Sequence, residues 1–435
     1  MSASSTLPAI ETVSSRVQET AWLKTIALHS AIFAAAFLIL FSRRTDAILH
    51  AQFWAEDGKY FYADGYHYGW RCLLLPYGGY LHTTPRLVGL LAQLVPFASA
   101  PLLMNLCGIA FQILPLNIFL SSRFNIIPFV WRVIGGFLYL ALPNIFEIHA
   151  NTANLQWHLA LASCLIVLAR SDDRLAWRMF DALLLALFSI TSLMGILLVP
   201  VAALMRWMRR DPRYNLSLLA LIPGAVIQAS IMLFSHNRPT APNGATLARL
   251  SAILGGQVFY ASVLSMKSLL LFYLLGDRNV LFSIELVALA IGLPIVIYAA
   301  WKGPLELKAF LLFATLVFAM AMRNPLVAPD NPTPQWELLR FPGLGNRYYF
   351  FPMIGFLASL TWMATSGSTI KLARYSATAI LLLVPIGVYR DWQLPKYKEF
   401  HFQFYAAQFE QAAPGTTMNI PLNPTGWRMT LVKKP

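Results

Sequence analysis

Charge is scarce in this chain of 435 residues: 12% are Asp, Glu, Lys or Arg, against 57% hydrophobic. Acids are scarcer still, 19 beside 33 Lys and Arg. Soluble domains carry roughly twice that share of charge on their surfaces, so no soluble domain dominates here. Cysteine is nearly missing too. Cys72, Cys107 and Cys164 form an odd set, two of them inside apolar runs, which excludes a disulfide framework or a zinc cluster and leaves packing. His149 and His158 are not at ligand spacing on one helix face, so hydrogen bonding is their expected role rather than zinc binding. No internal repeat is visible.

Hydrophobic length is what the chain has instead. Mean hydropathy is +0.58, and apolar runs of about 17–22 residues recur, the length that crosses a hydrocarbon core roughly 30 Å thick. The expected spans are 22–41, 100–121, 127–143, 155–170, 216–234, 279–300, 306–322, 349–365 and 374–390. The first follows a polar segment without a small-residue cleavage site and reads as a retained anchor. The run 180–205 begins and ends beside basic loops, so it reads as two short helices meeting near Thr191-Ser192-Leu193-Met194-Gly195. The run 251–275 must re-enter or lie along the outer surface.

The net charge of +14 suggests nucleic acid until the charges are located. The segments 122–132, 170–178, 206–213, 302–308 and 366–374 hold thirteen Lys and Arg in forty-four positions, and the loop 143–155 holds none. That is the positive-inside pattern, and it assigns the five basic loops to the cytoplasm. DNA binding needs basic residues clustered on a solvated fold, so a nucleic-acid partner is excluded.

By parity the opposite face collects four polar regions. Residues 42–99 hold Trp54-Ala55-Glu56-Asp57-Gly58, then Asp64, His67, and Tyr77-Gly78-Gly79-Tyr80 leading to His82 and Arg86. Their aromatic density suits short amphipathic helices at headgroup level. A short loop holds Glu147, His149, Asn151, Asn154, Gln156 and His158. The long loop 323–348 ends in Gly345-Asn346-Arg347-Tyr348. The tail from Asp391 ends in Pro421-Leu422-Asn423-Pro424-Thr425-Gly426-Trp427, turn punctuation between short strands. Adjacent carboxylates just outside a bilayer indicate chemistry or ion coordination, because acids there are costly unless used. The plain alternatives stand beside this. Glu56 or Asp57 could cap a helix, and Arg347 could be a snorkelling anchor. Asn154 and Gln156 could satisfy buried groups where helices meet, and Asp64, His67 and His82 could be simply solvated.

In the order and sidedness of Glu56-Asp57, the 144–158 loop and Arg347-Tyr348, the chain resembles the GT-C glycosyltransferases. The resemblance implies an all-α polytopic fold of about 10–13 membrane helices, some short or re-entrant, with a small outer C-terminal α/β segment. It implies a GT-C-like domain over 1–390 and a non-cytoplasmic segment over 391–435. It also implies transfer of a sugar from a polyprenyl-phosphate or polyprenyl-diphosphate donor to a glycan or lipid acceptor, usually with inversion. The place is the periplasmic face of a bacterial inner membrane. Asp57 then takes the position of the catalytic base; Glu56 is the alternative base or, with Asp57, a ligand for a divalent cation (Mg or Mn). Arg347 with Tyr348 is the phosphate clamp, Arg86 a second candidate, and His82, Glu147, His149, Asn154 and Gln156 are further substrate-binding candidates. A polysaccharide polymerase or ligase would use lipid-linked sugars too, but its late outer loop is expected to carry histidine, which 323–348 lacks. A secondary transporter should place its charges at mid-membrane and often repeat itself.

Overall fold

The computed structural model of the protein describes residues 8–170, 174–234, 241–328 and 331–435. Among the described residues seven helices are long and apolar enough to cross a bilayer: Leu23–Arg43, Phe97–Leu120, Tyr214–Phe234, Leu247–Leu264, Asn279–Lys302, Leu305–Arg323 and Lys371–Arg390. Phe129–Leu140 and Leu155–Leu168 are shorter and equally apolar. Leu175–Ser189, Met194–Arg209 and Phe350–Thr365 complete the bundle. Apolar residues face outward on most of these helices, as Leu219, Ile297 and Leu382 do, which suits lipid rather than water. The chain is an all-α, multi-pass membrane protein.

Local chemistry fixes where the helices begin and how closely they pack. Asp277 caps Arg278–Lys302, its Oδ1 accepting the N–H groups of Asn279 at 3.0 Å and Val280 at 3.1 Å, the expected use of Asp at that position. Glycines sit where backbones touch. A Cβ on Gly224 would collide with Ser189, and one on Gly255 with the backbone of Glu285, so small residues set the approach of these helices.

The run 180–205 is indeed two helices, broken at 190–193. The run from 247 is long enough to span yet does not. Its N-terminal part is tied by Arg249 to Glu337 at 2.8 Å, in the loop joining Leu305–Arg323 to Phe350–Thr365. At its other end Ser265, with φ +98°, donates to Asp391 at 2.7 Å, just past Lys371–Arg390. Connectivity puts both anchors at the same end of the bundle. Between them the chain forms a π-helix, Ile253–Tyr260, in which Phe259 packs on Phe356. The segment therefore re-enters.

Asp391 holds this arrangement. It is buried and accepts from Met266 N at 2.8 Å and Asn144 N at 3.3 Å as well as from Ser265. It so caps Met266–Leu274 and pins the 144 loop to the re-entrant segment. Asp391→Ala orphans these donors, and a loss of about 1–3 kcal/mol is expected, read as a lower melting temperature of the purified protein. Asp391→Asn should lose less.

At one end of the bundle lie the basic loops, where Arg123 pairs bidentately with Asp181 at 2.8 and 2.7 Å. Residues 44–96, 141–154, 324–328, 331–349 and 391–435 gather at the other. There the helix Phe402–Gln411 and the antiparallel strands Thr417–Leu422 and Trp427–Val432 pack onto the first loop. Phe402 meets Phe53 and Phe97, and Phe409 meets Phe97 and Tyr66. The core of the loops and that of the tail are continuous.

Candidate functional site

The acidic pair is held by the tail. Trp54 bridges to Asn423, and Ala55 donates its N–H to the Asn423 carbonyl. Asp57 then opens the π-helix Asp57–Tyr62. Consecutive side chains diverge from there. Asp57 turns inward and is completely buried. Its Oδ2 accepts Thr152 N–H at 3.0 Å, while Oδ1 has no hydrogen-bond partner among the described residues. Burial pushes this carboxyl well above the usual range, and the Glu56 charge adds to the effect; the N–H groups of Thr152 and Ala153 oppose it. Glu56 is half-buried and accepts the Tyr77 hydroxyl at 3.4 Å. Neither acid caps its own helix.

The loop 143–154 is knitted to itself. Asn151 and Asn154 donate to the Glu147 carbonyl at 2.7 and 3.0 Å, and Asn154 N–H donates to Asn151 Oδ1 at 2.9 Å. Gly108 lets the backbone at Asn151 lie directly on its helix, where a Cβ would clash. That contact, with Thr152 donating to the Met104 carbonyl at 2.8 Å, is why the 152–153 amides point at Asp57.

Arg347 follows Gly345, whose φ of +60° turns the chain into the helix mouth. Its guanidinium forms an ion pair with Glu147 and donates to the Leu326 carbonyl at 2.7 Å and the Tyr348 hydroxyl at 3.0 Å. Glu147 also accepts Arg347 N–H at 3.3 Å. The charge of Arg347 is felt by Tyr77, and it senses Glu56 and Tyr80 in turn. Tyr80 exchanges hydrogen bonds with Gln156. The contacts Glu56–Tyr77, Tyr80–Gln156 and Glu147–Arg347–Tyr348 therefore form one electrostatically connected polar group at the loop-rich end, with buried Asp57 next to Glu56.

Other sequence candidates stand elsewhere. Arg86 is buried and paired with Asp64 at 2.7 Å. His82 is buried rather than solvated, under Tyr80 with ring centroids 4.0 Å apart; burial, then Arg86, lower its pKa to about 3. His149 is buried beside Arg44 and Gln112, and burial, then the charges of Arg44 and Arg43, hold it well below the ordinary histidine range. His158 joins the Tyr139 hydroxyl at 2.9 Å to the Ile148 carbonyl at 3.0 Å. Asn154 supports its loop. Glu285 is buried and pairs with Arg340 at 3.5 Å. Sequence reading passed over Tyr77, Tyr80, Thr152 and Gln228 as site residues; only the Tyr-Gly-Gly-Tyr pattern was a visible signal. Among the described residues no three His, Cys, Asp or Glu gather as a metal site.

Fold and site together define a polytopic membrane protein with an ion-paired polar cluster at its loop-rich end. No protein-family model matches the sequence, and no curated protein matches it. Two solved structures of an Archaeoglobus fulgidus oligosaccharyltransferase overlap it at 13% identity and cover 88% of this chain. One is tethered by a disulfide to an acceptor peptide containing the NVT sequon, with a TM-score of 0.42; the other is a complex with Zn and sulfate, with a TM-score of 0.45. The chain spans 57% and 56% of those two structures.

Proposed function

We propose that the protein is a GT-C-like membrane glycosyltransferase. It transfers a sugar from a polyprenyl-phosphate or polyprenyl-diphosphate carrier to a glycan or lipid acceptor, on the periplasmic face of a bacterial inner membrane. Residues 1–390 carry the GT-C-like domain in this reading, and 391–435 are a small segment clamped on its site. The observation that carries it is a buried carboxylate, Asp57, whose neighbour Glu56 lies within electrostatic reach of Arg347, a guanidinium held in place by the Leu326 carbonyl and the Tyr348 hydroxyl.

The chemistry needs three things: a base, positive charge for the departing phosphate, and exclusion of water. The acceptor hydroxyl oxygen forms a bond to the anomeric carbon, with inversion. The bond from that carbon to the phosphate oxygen breaks, and its electron pair leaves on the phosphate. The hydroxyl proton goes to Asp57. A carboxyl raised by burial is the better base for this step, and the Thr152 N–H fixes its orientation. Arg347 stabilises the departing phosphate, since a guanidinium pairs bidentately with phosphate oxygens. No second carboxyl is needed as acid because the phosphate leaves as an anion, unlike in glycoside hydrolysis. Enclosing loops keep water out.

A divalent cation suits the same place. Magnesium is commonly held by one or two carboxylates together with substrate phosphates and water; half-buried Glu56 would be the carboxylate here, since the Asp57 side chain turns inward onto Thr152, and the ion would neutralise phosphate charge. Chelator titration of the purified enzyme is expected to lower the rate, with recovery on adding Mg or Mn. A rate indifferent to chelator would assign the whole positive role to Arg347.

The reading is tested by incubating the purified protein with a panel of undecaprenyl-phosphate sugars and an extract of cell-envelope acceptors. Release of free carrier phosphate is expected with at least one donor. No release from any donor would overturn it.

A further inference from the structure

The segment Tyr77-Gly78-Gly79-Tyr80 is built with more care than a surface turn requires. Tyr77 N–H donates to the Tyr80 carbonyl at 2.9 Å and Tyr80 N–H to the Tyr77 carbonyl at 3.3 Å. Gly78 and Gly79 between them have φ of +59° and +88°, the two left-handed positions of a type I′ hairpin turn, which side chains other than Asn or Asp rarely accept. The turn throws both phenols to one side. Their hydroxyls end at Glu56 and Gln156, and Tyr77, Tyr80 and Glu56 all lie within electrostatic reach of Arg347.

The turn is also anchored from below. Gln228, fully buried in the Tyr214–Phe234 helix, accepts Leu81 N–H at 2.9 Å and donates to the Leu81 carbonyl at 3.1 Å. Thr83 donates to the Ile190 carbonyl at 2.8 Å, and the Thr84 and Thr191 hydroxyls lie 2.7 Å apart. His82 lies against both phenol rings and its Nε2 is 3.2 Å from the Tyr77 carbonyl. A carbonyl can only accept, so this nitrogen carries the proton. A polar grip from a membrane helix on two backbone groups of a loop is a costly device unless the loop must be held still.

We propose that Tyr77 and Tyr80, presented by this Gly-Gly turn, complete with Arg347 a donor cradle for the phosphate of the lipid-linked substrate. The proposal rests on the glycosyltransferase reading above and names the residues that read the phosphate. All three groups donate, and a tetrahedral anion offers acceptor oxygens on several sides at once. At 3.4 Å the bond from Tyr77 to Glu56 is long and readily exchanged for a phosphate oxygen. Burial, with Glu56 next, pushes the Tyr77 phenol above its ordinary value, so it stays a donor and takes no proton from the acceptor.

The test is direct binding of undecaprenyl phosphate and of undecaprenol to the full chain in detergent, for wild type, Tyr77→Phe and Tyr80→Phe. Phenylalanine keeps the ring stacking and removes only the hydroxyl. Each variant is expected to bind the phosphate about tenfold more weakly, the usual order for a hydrogen bond to a charged group, and undecaprenol as wild type does. Wild type binding both lipids equally would sink the glycosyltransferase reading and the cradle with it. Wild type preferring the phosphate while both Phe variants match it would overturn the cradle alone. Loss of affinity for both lipids in a variant would likewise overturn it, since that is a general structural role.

Discussion

Replacing Asp57 with Asn is expected to lower transfer by about 100-fold or more, the usual cost of a missing general base, while the purified protein melts no lower than wild type. The two halves of this expectation come from the same environment. Asp57 is fully buried with one oxygen on Thr152 and the other unpaired among the described residues. Its folded-state pKa therefore lies above the unfolded value of 3.8. For an acid shifted in that direction, the stabilising contribution is complete below the unfolded pKa. It is lost as pH rises through the folded one. At neutral pH the buried acid is thus a net cost, and the neutral amide of Asn removes it while its oxygen can still accept from Thr152. Activity runs the other way, because only the ionised carboxylate takes a proton. The acid limb of kcat/KM in wild type should fall above the ordinary carboxylate range. A variant that stays fully active would remove Asp57 from the reaction. A variant that is inactive and also unfolds early would point to a structural part instead.

Arg347→Ala has the next largest expected effect, a loss of donor affinity on the order of 10- to 100-fold, from hydrogen bonds to a charged group. Stability alone cannot report on this, because the Leu326 carbonyl and Glu147 both lose their partner in the variant. Donor binding separates the roles. If Arg347 were only a snorkelling anchor, binding would be unchanged while the melting temperature fell. Arg347→Lys should recover little of the affinity, since an ammonium has one charged point where the guanidinium has a planar fork already aligned by Leu326 and Tyr348. Glu147 gives a control of opposite sign. It occupies Arg347 in the structure described here, so Glu147→Gln should not weaken phosphate binding as Arg347→Ala does.

Some of the site was legible residue by residue. Glu56-Asp57 and Arg347-Tyr348 stand out in sequence because charge is rare in this chain and each lies just beyond an apolar run. Glu147 and Gln156 stand out for the same reason in a short loop. The histidines were not legible in this way. His82, His149 and His158 look equally available in the sequence, yet each is buried and paired with backbone or neighbouring side chains. Asp64 and Arg86 look like two independent polar residues; they are one ion pair. The hairpin phenols were visible only as a Tyr-Gly-Gly-Tyr pattern with no indication of what they face.

Hydropathy periods and the placement of Lys and Arg determined the class of protein, the approximate spans, the helix break near 191 and the need for 251–275 either to re-enter or to lie along the outer surface. These follow from the bilayer, which demands apolar length and satisfied backbone at every crossing and so leaves its mark on consecutive residues. The contacts of Arg249 and Ser265 decided for re-entry. What only the tertiary structure decided is which loops meet. Asp57 reaches Thr152, Glu147 reaches Arg347, and Asn423 holds the chain at Trp54-Ala55 just before the acidic pair, across separations with no local signal. Those meetings depend on close packing at positions such as Gly108 and Gly255, and on buried anchors such as Asp391 and Gln228. Their effect is to choose among loops that hydropathy alone leaves equivalent.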